Sequence, residues 1–121
     1  MVSRPIQDRH RGAQVFENML QVNKGLRFDS NTETLAGTKT LVFGDAVVQF
    51  LDPGGAGRTV ILPAEADSNG LVFIIANRAD AAEVLTIQDD GTATVCTPTE
   101  AETALVICDG TTWVGLVGAS S

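Results

Sequence analysis

RTVILP (Arg58–Pro63), GLVFIIAN (Gly70–Asn77), EVLTIQDDG (Glu83–Gly91) and ALVICDGTTWVGL (Ala104–Leu116) follow one another as short apolar runs cut by Gly, Asp, Asn and Pro. Runs of about four to eight aliphatic and β-branched residues between such breakers read as strands. The pattern extends in both directions. Strands are expected at Thr40–Phe43, Ala46–Leu51, Thr59–Leu62, Leu71–Ala76, Val84–Gln88, Ala93–Thr97, Thr103–Cys108 and Trp113–Val117. Leu71–Ala76 is apolar at nearly every position, which suits a strand covered on both faces. Asp109-Gly110 marks the clearest hairpin, and Pro63–Gly70 is a loop with room for a helical turn.

VVQFLDPGGAGRTVIL and VFIIANRADAAEVLTI share one plan: an apolar strand, Asp or Asn at a turn, small or polar residues, then a β-branched return. Their offset is about 25 residues, setting Val60 against Leu85 and Leu62 against Ile87. The expected fold is all-β: a compact β-sandwich or flattened barrel of stacked hairpins over residues 39–121.

Residues 1–38 read differently, as an extended N-terminal arm. Val15, Phe16, Met19 and Leu20 fall at helical spacing, while Gly12 and Asn18 weaken a helix, so 12–22 is either a short helix or a segment that orders on contact. Leu26-Arg27-Phe28 could add a short strand, and Ser30–Thr38 has loop chemistry.

Charge divides along the same line. Residues 1–39 carry six Lys or Arg against four acids, or +2, and residues 40–121 carry Arg58 and Arg78 against eleven acids, or −9, giving the net −7. An acidic β body repels a phosphate backbone, so nucleic acid is not an expected partner. No apolar run approaches the roughly 18 residues of a membrane span, and the N-terminus lacks a signal-peptide core, so synthesis in the cytoplasm is expected. With only 19% charged residues the surface suits contact with other protein.

Asp52, Asp89 and Asp90 sit in Gly-containing turns, where Asp caps its own backbone. Nothing in the sequence separates one carboxylate from another as acid and base require, which leaves a sugar hydrolase a distant alternative. His10 stands among arginines with no nucleophile elbow, Gly54-Gly55-Ala56-Gly57 lacks the Lys-Ser/Thr of a phosphate loop, and no DxDxDG calcium spacing occurs. Cys96 and Cys108 could pair if their strands were neighbours, but in a cytoplasmic product they read as two small buried hydrophobes, and neither has zinc spacing. The expectation is a non-enzymatic protein without metal or cofactor. Core or subunit-interface positions are expected at Leu71, Phe73, Ile75, Leu85, Ile87 and Trp113. In the arm, Arg4, Arg9 and Arg11 followed by Val15, Phe16, Met19 and Leu20 suit anchoring on an acidic or apolar groove.

RTVILPAEA (Arg58–Ala66), GLVFIIAN, EVLTIQDDG and VICDGTTWVGL (Val106–Leu116), with KTLVFGDAVVQFLDPGGAG (Lys39–Gly57) leading in, together resemble a β module of tailed-bacteriophage virion proteins. In that module a TVTLP-like strand precedes a Gly-initiated strand ending in Asn, and a DGTxW hairpin closes the unit. The likeness covers about two thirds of the chain. It implies a virion protein, commonly trimeric, found in tail fibres and in head decoration, or capsid cement, proteins. The short length favours decoration: a homotrimer on the capsid exterior whose arms reach the major capsid protein. A short tail-fibre knob recognising a host-surface glycan is the alternative, and it calls for an exposed Trp113. Residues 1–38 match no motif of the module.

Overall fold

The computed structural model describes residues 14–119. Nine strands form, with no α-helix among the described residues: β1 (Ser30–Thr34), β2 (Lys39–Thr40), β3 (Val48–Asp52), β4 (Arg58–Ile61), β5 (Val72–Asn77), β6 (Leu85–Gln88), β7 (Thr94–Cys96), β8 (Glu102–Cys108) and β9 (Trp113–Ala119). A 3-10 turn at Glu65–Asp67 interrupts the loop before β5. The all-β expectation is met.

The connectivity corrects the stacked hairpins and the flattened barrel. Two open sheets form, ordered β1-β3-β5-β8-β9 and β2-β4-β6-β7. Up to β6, consecutive strands never pair with each other. They alternate between sheets, and within each sheet the successive passes lie parallel. The chain thus winds as a short parallel coil. The internal echo is one turn of that coil, but in a different register: Val60 stands beside Ile87, and Leu85 beside Arg58.

The corner at Asp52–Gly57 shows why the chain winds on instead of turning back. Asp52 Oδ1 accepts a hydrogen bond from the Gly54 amide at 2.9 Å, and Arg58 Nε donates to the Pro53 carbonyl at 2.9 Å. Gly54 has φ +79°, and a Cβ there would stand 2.5 Å from the Leu35 carbonyl oxygen. One corner is therefore pressed onto the corner of the turn before it, a backbone approach that only glycine permits.

After β6 the coil ends in antiparallel strands. β7 returns along β6 with a bulge at Ile87/Gln88, and β8 and β9 extend the larger sheet as the expected hairpin. Asp109 Oδ1 accepts from the amides of Thr111 and Thr112 at 2.9 and 2.7 Å, which closes the loop.

One apolar cluster draws on both sheets: Leu51, Phe73, Ile75, Ala104 and Val106 from the larger, Val60, Leu85 and Ile87 from the smaller, with Leu35, Leu41 and Leu62 at the corners. Asn77, 1% exposed, holds the coil's last corner to β8's approach. Its Nδ2 donates to the carbonyls of Glu83 (2.9 Å) and Pro98 (3.0 Å), and its Oδ1 accepts from the Ala79 amide (2.9 Å).

Two local expectations change, and one left open is narrowed. Ser30–Thr34, read as loop, is β1, paired along its length with β3 and tied by Asn31 Nδ2 donating to Gln49 Oε1 at 2.9 Å. Leu26–Phe28 is not a strand, and residues 14–22 form no helix. The remaining strands fall within two residues of their expected ends, except the second, which shortens to Lys39–Thr40 because Asp45 Oδ2 captures the Val42 amide in a turn.

Candidate protein-contact surfaces

The expected interface residues divide sharply. Phe73, Ile75, Leu85, Ile87 and Trp113 are all buried in the core, with Leu71 packed against them. Trp113 is 4% exposed, donates from Nε1 to the Pro63 carbonyl at 2.9 Å, and stacks on Phe73 with ring centroids 6.2 Å apart. Burial with a satisfied indole N–H is how a core Trp behaves, and it leaves no indole face for a sugar.

The arm residues behave oppositely. Val15, Phe16, Met19 and Leu20 are exposed, followed by exposed Val22, Leu26 and Phe28. No strand or helix forms from residue 14 to residue 29. Arg4, Arg9 and Arg11 lie outside the described residues.

A second apolar surface was not anticipated. Because Ala104, Val106 and Cys108 of β8 point into the core, Leu105 and Ile107 must face the other way. Cross-strand partners share a face, so the register places Val48, Ile74, Leu105 and Leu116 in one row across β3, β5, β8 and β9. Val72, Ile107 and Val114 form the next row, and Phe50, Ala76, Thr103 and Gly118 the one on its other side. None of these residues is charged. Exposure rises toward β9, to 41% at Ile107, 55% at Val114 and 62% at Leu116. The signal was present in WVGLVGA: a strand meant to face water on one side alternates polar with apolar, and this one has no polar residue after Trp113.

Two groups of carboxylates gather at loops. Asp52, Asp80 and Glu83 present oxygens within 4.8 Å of one another, as do Glu65, Asp89 and Asp90. In the first group Glu83 Oε1 is buried without a hydrogen-bond partner. In the second, the Glu65 carboxyl is raised: its own backbone amide works downward but is outweighed by desolvation, a shared hydrogen bond with Asp90, and the charges of Asp90 and Asp89. The Asp109 carboxyl is lowered by the Thr111 and Thr112 amides, and Glu33 by Lys39, whose Nζ stands 2.8 Å away, together with Asn31.

Both cysteines are free. Cys108 Sγ lies 3.6 Å from the Glu65 carbonyl and 3.4 Å from the Gly110 amide, inside the hairpin mouth. Cys96 is half-buried, which pushes its thiol up and away from reactivity.

No protein-family model, curated protein or solved structure matches the chain.

Proposed function

We propose that this chain is a structural virion protein: a trimeric decoration protein that sits on the outside of a tailed-phage head, contacts the major capsid protein and stabilises the shell without catalysis. The observation that carries this reading is the segment before β1. It presents Val15, Phe16, Met19, Leu20, Val22, Leu26 and Phe28 to solvent while the body behind it is already packed around its own core. An apolar, unpaired segment on a finished fold has a use when it orders against a partner.

In this reading the two sheets are the layers of a compact sandwich, and three bodies present three arms. Weak contacts then sum, because attachment of one arm raises the effective concentration of the others. The charge division supports the arrangement: the arm side carries +2 and the body −9, so an acidic coat surface would attract the arm and hold the body outward. The glycan-binding knob calls for an accessible Trp113, and the buried, hydrogen-bonded indole disfavours it.

Deletion of residues 1–22, followed by separate assays of self-association and of cosedimentation with expanded heads, tests the proposal. Loss of head binding with retained self-association is expected. A truncated protein that still binds heads fully would end the arm's assignment.

A further inference from the structure

Phe73, Ile75, Leu85, Ile87 and Trp113, which the sequence leaves open between core and subunit interface, lie in the core, so any contact between copies falls to another surface. We infer that copies of this chain meet through the outer face of the five-stranded sheet at its β9 end, centred on Ile107, Val114 and Leu116. The inference deepens the trimeric reading above and rests on it only for the number of copies.

Three observations converge on a second copy as the occupant. The first is electrostatic. Residues 40–121 carry −9, so two bodies repel each other over most of their surfaces. Across β3, β5, β8 and β9 the outer rows, from Val48 and Phe50 to Leu116 and Gly118, contain no Asp, Glu, Lys or Arg. This is the face on which like-charged bodies can touch without desolvating a charge.

The second concerns the edge. β9 ends the sheet, and six of its seven residues are exposed. An edge strand in a solitary protein is guarded by Lys, Pro or a bulge, and WVGLVGA has none of these. The opposite edge, β1, is SNTET, with Glu33 paired to Lys39. One edge is dressed for water and the other for protein.

The third is that none of the other described residues covers this face. The apolar residues of the arm are exposed, Met19 at 86%, while Val114 and Leu116 are more than half exposed. Neither surface buries the other within one copy, and each is left for a separate partner.

Sedimentation velocity of the full-length protein over a dilution series tests the inference. Leu116→Lys and Val114→Lys each place an ammonium on the rows. Both should weaken self-association by at least about a hundredfold, the penalty of burying an unpaired charge, while far-UV circular dichroism stays at the wild-type value and the unfolding midpoint matches that of wild type diluted to the monomer. Thr94→Lys, at the exposed first residue of β7 in the other sheet, should assemble as wild type. A wild-type chain that stays monomeric, or Lys variants that are folded and assemble normally, would overturn the inference. Full-length Phe16→Asp/Leu20→Asp separates the two proposals. It should self-associate normally, and its failure to do so would show that the arm, not the sheet face, joins the copies. Its binding to heads bears on the attachment reading alone.

Discussion

Asn77→Asp changes one nitrogen for an oxygen and should remove a large part of the fold's stability. The Asn77 side chain is 1% exposed, and its Nδ2 bridges the carbonyls of Glu83 and Pro98 at 2.9 and 3.0 Å. In the variant an acceptor faces two acceptors. The Glu83 carbonyl loses its donor, the Pro98 carbonyl keeps only the Leu85 amide at 3.1 Å, and the new carboxylate oxygen has no donor in front of it. Each buried group left unsatisfied costs about 1–3 kcal/mol, so for the Glu83 carbonyl and the carboxylate oxygen a loss of about 2–6 kcal/mol is expected. Against a domain stability of about 5–15 kcal/mol that is substantial. The pH dependence adds a signature. Burial beside carbonyls raises the new carboxyl above its unfolded value, so the deficit should deepen as pH rises from the unfolded value through the folded one, and shrink in acid, where the protonated group donates one bond. Urea unfolding followed by Trp113 fluorescence at two pH values measures both effects. Asn69→Asp, at an exposed loop position, should stay within about 0.5 kcal/mol of wild type. A midpoint for Asn77→Asp equal to that control at neutral pH would refute the claim that this amide pins the last corner of the coil.

Gly54→Ala should cost about 2–4 kcal/mol, because φ is +79° and the new methyl would meet the Leu35 carbonyl backbone, while Gly37→Ala, with open space around it, should change the unfolding midpoint little. Acrylamide should quench Trp113 only weakly in the native protein and fully in urea; strong native quenching would reopen the glycan-binding reading. Asp109 contributes stability above its ordinary value of 3.8, since its folded pKa is depressed by the Thr111 and Thr112 amides, and that contribution should disappear as pH falls through the folded value. Acid titrations of wild type and Asp109→Ala, followed by circular dichroism, should therefore converge at low pH and separate above it; parallel curves would contradict the assignment.

Much of the strand content was legible because period-two apolar runs and Gly, Pro and Asp breakers are local signals. The pairing was not. Asp52-Pro53-Gly54-Gly55 is equally good chemistry for a hairpin turn and for a corner that carries the chain to another sheet, and only the Leu35 backbone behind Gly54 distinguishes the two. β1 escaped notice because SNTET is polar; its place comes from parallel hydrogen bonding to β3 and the Asn31–Gln49 bond, neither of which leaves a hydrophobic trace. Phe73, Ile75, Leu85, Ile87 and Trp113 were recognisable as apolar anchors, but sequence alone left core and interface open, and the register resolved that in favour of the core. The outer rows emerged only once β8 and β9 were aligned, since Leu105 and Leu116 are eleven positions apart in the chain and adjacent in the sheet.

The mass of the intact protein in solution, read by light scattering behind size exclusion, decides whether three copies join. The expected result is a single species at three times 12.7 kDa. A stable species of 12.7 kDa at every concentration would contradict it.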